Sequence, residues 1–168
     1  TGTGVAHCPA SNMKLASGVC RIPEMLKLGV PVGLALDGSA SNAGNSLLEE
    51  LRTAYLLHRL TSSAAAPSGY DLLKIATRGS TRLLGRTDIG SLEIGKCADL
   101  FLIDSNRLEL VGSCADPKNV LATVGVRGPV DYTVIHGKVT ARKGRLAGWD
   151  EEKLSREAGA VWEDYLRR

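Results

Sequence analysis

Residues 30–36, Val-Pro-Val-Gly-Leu-Ala-Leu, form an apolar run that stops at Asp37 and a glycine. Such a run reads as a strand buried on both faces, the signature of a parallel sheet. A parallel sheet needs helical crossovers, so the flanking sequence should be helical. It carries the signals. Pro23-Glu24-Met25-Leu26 opens a helix before the run, with proline in the first turn, where its missing N–H costs nothing, and Gly29 stops it. Behind the run, Gly38 to Gly44 is a loop by composition. Ser46 and Glu49 then have capping-box spacing, and Leu47, Leu51, Ala54, Tyr55 and His58 recur at helical intervals, predicting an amphipathic helix over 46–60. With a short strand over Thr3–His7 and turn or loop residues over Pro9–Ser17, the first sixty residues read as two β/α units.

The pattern then changes. Residues 61–68 are a small-residue linker, and 70–77 and 80–84 read as helices. Strands are predicted at 91–94, 98–103, 131–135 and 138–142, with tight turns at His136-Gly137 and Lys143-Gly144 before Arg145-Leu146. The tail from Asp150 to Arg168 reads as a helix with Leu154, Ala158, Val161, Trp162, Tyr165 and Leu166 along one face. The domain expectation is therefore a β/α portion over 1–88, an antiparallel portion over 89–149 and a terminal helix over 150–168.

Composition removes several functions. The net charge is +3 with the signs interspersed, and aromatic residues make up 4%, so a nucleic-acid partner is not expected. The apolar runs fall far short of the roughly 20 residues that span a bilayer, and residues 1–4 have no secretory character. Cys8, Cys20, Cys97 and Cys114 form no CxxC pair and read as reduced, buried, small apolar residues, which predicts a cytoplasmic protein. A chain that opens on Thr and enters a strand almost at once reads as part of something longer.

Asp37 is the foremost candidate for chemistry. A carboxylate that closes an apolar strand and precedes a glycine-rich loop stands where α/β barrels place their active sites. Burying that charge costs free energy unless a metal or hydrogen bonds compensate it. The competing reading is a turn residue that opens the Gly38-Ser39 loop. His7 closes a strand in the same way, with a structural, hydrogen-bonded histidine as its other reading. His58 reads as packing on the apolar side of its helix, and His136 as exposed in a turn. Ser11, Ser39 and Ser41 lack a nucleophile elbow, and neither a P-loop nor a cytidine-deaminase zinc signature is present.

Taken together, His7-Cys8-Pro9-Ala10-Ser11-Asn12-Met13-Lys14-Leu15 and Leu36-Asp37-Gly38-Ser39-Ala40-Ser41-Asn42 resemble the segments around strands seven and eight of the amidohydrolase superfamily. The resemblance is to the branch that deaminates or dechlorinates N-heterocycles, with 8-oxoguanine deaminase the nearest fit and the triazine hydrolases beside it. It extends through Ala76-Thr77-Arg78-Gly79, the 89–100 segment and Val134 to Val139. It implies an α/β fold: the last two units of a (β/α)8 TIM-type barrel, part of a small antiparallel β-sandwich and a C-terminal helix.

The resemblance also implies a divalent metal, zinc or another such as iron. Asp37 would be a metal ligand and catalytic proton acceptor, while His7, Asn12 and Ser39 would bind a small heterocyclic substrate. The superfamily's strand-one HxH pair and its strand-five and strand-six histidines have no counterpart here, and Asp37 alone cannot hold zinc tightly. This chain alone is therefore expected to be inactive, with a non-catalytic module that self-associates through exposed strand edges as the alternative. A homo-oligomer is expected in either case.

Overall fold

A computed structural model describes residues 2–126 and 128–168. The chain divides into two units, Thr1–Cys97 with Asp104–Arg127, and Ala98–Ile103 with Gly128–Arg168.

In the first unit, β1 (Val5–His7) pairs in parallel with β2 (Val32–Leu34), aligning Val5 with Val32, Ala6 with Gly33 and His7 with Leu34. Two short helices make the crossover. α1 (Pro9–Lys14) occupies the segment expected to be turn and loop. The cause is Pro9, which stands in the first helical turn and lets the helix start with only Cys8 between it and β1. α2 (Ile22–Lys27) places Pro23 in the same way and ends at Leu28, with Gly29 left-handed at φ 72° behind it. β2 is buried along its whole length, though shorter than the 30–36 run. Past it, the expected loop holds one short helical turn, α3 (Ser39–Asn42).

α4 (Leu47–Ser62) starts where Ser46 accepts a hydrogen bond from the Glu49 amide at 3.3 Å. It buries Glu50, Leu51, Ala54, Leu57 and His58, whereas Leu47, expected on that face, is exposed. α5 (Gly69–Lys74) opens on a Ser68–Asp71 capping box and runs through a π-helical turn at Ile75–Gly79 into α6 (Ser80–Leu83). The wide turn brings Gly79 against β2: a Cβ there would collide with the Val32 carbonyl oxygen. Ser80 follows, its hydroxyl 3.2 Å from the Leu34 amide nitrogen and 3.1 Å from the Leu34 carbonyl. Since Ala35 donates to His7, Leu34 directs its backbone groups to the side away from β1. A serine hydroxyl therefore answers the strand edge that the sequence leaves open. α7 (Val120–Thr123) supplies Ala122 to a core of Ile22, Val32, Leu34, Leu51, Ala54, Leu72 and Ile75.

The second unit is an antiparallel sheet of β3 (Leu100–Leu102), β4 (Tyr132–Ile135), β5 (Lys138–Arg142) and β6 (Arg145–Leu146), in that order. His136 and Gly137 have φ of 49° and 75°, Lys143 and Gly144 of 47° and 77°. Two successive positive φ values are the two-residue hairpin turn that matches strand twist. The strand expected at 91–94 does not form. Gly90 and Gly95 are left-handed at both ends of the segment, and Lys96 N–H returns to the Glu93 carbonyl, so it closes as a turn with Ile94 fully exposed. α8 (Glu151–Leu166) is capped by Asp150, which accepts from the Lys153 amide at 2.9 Å. Its Leu154, Val161, Trp162, Tyr165 and Leu166 are all exposed. Contrary to expectation, none of the four cysteines is fully buried: Cys8, Cys20 and Cys97 are half-buried, Cys114 is exposed, and all are free. Among the described residues, no helix is long and apolar enough to cross a membrane.

Candidate active site

β1 and β2 run in parallel, so their C-terminal ends lie side by side and deliver His7 and Asp37 to one end of the pair. Asp37 sits three residues past β2 in the left-handed region, φ 70°, which few residues other than glycine adopt and which Asp tolerates through its short polar side chain. The carboxylate is exposed. Ser11 donates its hydroxyl to Asp37 Oδ2 at 2.5 Å, and the Gly38 N–H donates to Oδ1 at 2.7 Å. These two donors, Ser11 first, hold the Asp37 carboxyl below its ordinary range, because both stabilise the ionised form. Asp37 is thus a carboxylate with both oxygens oriented and one face open.

His7 ends β1 with its ring buried, 1% exposed, and its Nε2 lies 3.2 Å from Nε2 of the fully buried His58 on α4. One imidazole must donate and the other accept, so at least one is neutral. Burial, then the neighbouring His58, lowers His7 from 6.5 to about 4, and burial lowers His58 as well. Both Nδ1 atoms are buried without a hydrogen-bond partner. The resemblance places His7 against substrate; here its ring faces inward.

Asn12 is half-buried on α1, its N–H bonded to the Cys8 carbonyl and its carbonyl accepting from Ser17. Ser39 is exposed as the first residue of α3, its carbonyl accepting from Ala43. Cys8, between His7 and Pro9, has its thiol pushed up by burial, then by Asp37 and Glu50, and is protonated at neutral pH. Three residues of the site are not among the sequence candidates for binding or catalysis. Ser11 is buried at 3% exposure. Glu50, 2% exposed, accepts from the Ala10 N–H at 3.1 Å and from Asn42 Nδ2 at 2.7 Å. Asn42 Nδ2 also donates to the Leu36 carbonyl. The sequence signal for Glu50 is a charged residue on the buried side of a helix.

The donor set does not fit a complete metal centre. Among the described residues, no three His, Cys, Asp or Glu side chains are grouped to hold an ion. Asp37 presents an open carboxylate, but His7 turns its Nε2 to His58, and a catalytic zinc takes three protein ligands.

Residues 1–140 match the model of the amidohydrolase family. The chain is 47% identical over 165 residues to hydroxydechloroatrazine ethylaminohydrolase of Pseudomonas sp. (strain ADP), covering 96% of this chain and 34% of that protein. It is 49% identical over 149 residues to the 8-oxoguanine deaminase of Pseudomonas aeruginosa, covering 89% of this chain and 33% of that protein. Among solved structures, the zinc complex of atrazine chlorohydrolase TrzN from Arthrobacter aurescens TC1 superposes with a TM-score of 0.88 at 34% identity, over 95% of this chain and 36% of that one. A zinc-bound adenosine deaminase from Xanthomonas campestris gives a TM-score of 0.88 at 34% identity, over 98% and 37%. The chain therefore spans about a third of the length of the relatives it matches. Its paired strand-end segments, its mixed α/β structure and the match over residues 1–140 agree: this chain belongs to the amidohydrolase family.

Proposed function

We propose that this chain supplies the last two β/α units of a (β/α)8 barrel, over 1–88, together with part of a flanking β-sandwich over 89–149 and a terminal helix over 150–168. In that setting it contributes Asp37 to the active site of an enzyme that hydrolytically removes an amino group from a nitrogen heterocycle, an 8-oxoguanine-like purine or a triazine. The observation that carries this reading is the Asp37 carboxylate, oriented by Ser11 and Gly38 and open to solvent at the C-terminal end of a parallel strand pair. Barrel enzymes keep their chemistry at that end. The names of the relatives support the reaction class, and zinc accompanies both of the structural neighbours named above. Asp37 is one ligand at most, so the remaining donors would come from outside these 168 residues. Asn12, on α1, and Ser39, at the start of α3, stand in the segments that follow β1 and β2 and are assigned to the substrate's rim, and His7 to the wall beneath it.

The test is a chimera in which this chain replaces the 149 matching residues of the Pseudomonas aeruginosa 8-oxoguanine deaminase. Ammonia release from 8-oxoguanine or an aminotriazine is expected. An Asp37→Asn chimera should lose it by a factor of about a hundred or more, the usual scale for a positioned proton acceptor. A folded, zinc-loaded chimera that turns over neither substrate class overturns the proposal. A second reading, a self-associating module, is favoured by the exposed apolar residues of α8, Val161, Trp162 and Tyr165 among them. Its test is sedimentation of the 168-residue chain, where a monodisperse monomer would exclude it.

A further inference from the structure

Glu50 is the most deeply buried acidic residue among the described residues, and no cation is ion-paired with it there. A buried carboxylate without a counter-charge is costly unless hydrogen bonds satisfy it. Here the two donors come from two different helices. Oε2 accepts the N–H of Ala10, on α1 behind β1, and Oε1 accepts Nδ2 of Asn42, the last residue of α3 behind β2.

Each limb leads to Asp37. On one side, Ala10 is bonded to Ser11, whose hydroxyl meets Asp37 Oδ2. On the other, the second hydrogen of Asn42 Nδ2 goes to the carbonyl of Leu36, the residue bonded to Asp37. The path from Glu50 through Ala10, Ser11, Asp37, Leu36 and Asn42 back to Glu50 is a closed ring of hydrogen bonds and peptide links. The Asn42 amide cannot be reversed within it, because its oxygen would then face two acceptors. Its own oxygen is used elsewhere, accepting from the Gly44 N–H at 3.2 Å. Asp37 also holds a left-handed φ of 70°, a conformation that persists where the surroundings over-determine it.

We propose that Glu50 is a positioning residue: it locks α1 and α3, the two segments that follow the strand ends, to one another and thereby fixes the orientation of the Asp37 carboxylate. This rests on the reading of Asp37 as the reactive carboxylate, and it adds the residue that pre-sets it. Preorganised groups act at the moment of reaction without rearrangement, which is what such a ring provides.

The experiment follows the Asp37 side chain in the 168-residue chain by NMR at one neutral pH, through its three-bond χ1 couplings and the exchange of the Ala10 amide, in wild type, Ser11→Ala, Glu50→Gln and Asn42→Ala. Ser11→Ala removes the hydroxyl and sets the scale, spreading Asp37 χ1 over more than one rotamer. Glu50→Gln keeps the shape but puts an NH2 where one acceptor oxygen stood, so Ala10 and Asn42 no longer each meet an oxygen of their own. The expected result is rotamer averaging at Asp37 at least half that of Ser11→Ala, with faster exchange of the Ala10 amide. A merely structural role would lower the melting temperature and leave the couplings in place. Unmoved Asp37 couplings in folded Glu50→Gln overturn the proposal. Should that variant not fold, Asn42→Ala opens the ring at a half-buried link, and the same two results decide. The measurement needs neither metal nor substrate, so an intact ring beside an inactive chimera would overturn the deaminase reading alone.

Discussion

From β4 to β6 the residues that meet are near neighbours in sequence, joined by two-residue turns at His136-Gly137 and Lys143-Gly144. At the ends of β1 and β2 they are far apart: Ser11 reaches Asp37 across 26 positions, Ala10 reaches Glu50 across 40, and His7 meets His58 across 51. The hairpins depend on local backbone chemistry, and a change there should stay local. The strand-end unit depends on buried polar groups that satisfy one another at long range, so removing one strands another.

The largest expected effect sharpens this contrast at Gly79. By helix propensity alone, glycine in a helical segment costs about 1 kcal/mol relative to alanine, so Gly79→Ala should stabilise. The packing reverses the sign, because the added Cβ would overlap the Val32 carbonyl oxygen on a buried strand. Gly79→Ala should lose about 3 kcal/mol in urea unfolding, the upper range for overpacking. Neutral or improved stability would show that the π-helical turn does not press on β2. Gly159 is the control: it lies in exposed α8 with nothing within 4 Å of its Cβ position, so propensity should rule there.

Next in size is the histidine pair. His7 is lowered to about 4 in the fold and returns toward 6.5 when unfolded. Between those values the unfolded chain binds more protons than the folded one, so stability rises with pH through the window and falls as pH drops. At high pH both states are neutral and the pair costs nothing by this route. The expected loss is about 2 kcal/mol between about pH 8 and about pH 5. Denaturant midpoints across that range measure it, and His7→Phe should flatten most of the slope. An unchanged slope would mean that neither ring is held neutral by burial.

Which parts of this arrangement the sequence disclosed follows the same division. The two hairpin turns, the Gly29 helix stop, the Ser46 cap and the buried apolar strand within residues 30–36 are visible because each is written in adjacent residues. The stretch over 91–94 misled because its apolar residues suggested pairing, while the flanking Gly90 and Gly95 take left-handed φ and close it as a turn. α1 was hidden by Pro9 and Ser11, which read equally well as loop residues and as a first helical turn. The π-helical turn has no local signal. Asp37 and His7 were marked by their places at strand ends, but Ser11, Asn42 and Glu50 act through partners that only the folded chain brings together. Glu50 is signalled only as a charged residue on the buried side of a helix, which names no partner.

The smallest effect tests the local side. His136 holds φ of 49° without being glycine, in a turn where both central residues are left-handed. Asparagine tolerates that region better than histidine and is the preferred partner for a following glycine in a two-residue hairpin. The His136 side chain is exposed, and the turn is anchored through its backbone N–H, which donates to Asp99 Oδ1 at 2.6 Å. That bond is indifferent to the side chain. His136→Asn should therefore stabilise by about 0.5 kcal/mol, within the range of a surface turn substitution. A gain in stability would show that the local geometry of the hairpin turn governs its energy. A loss of stability would mean that the turn carries a contact its local geometry does not reveal.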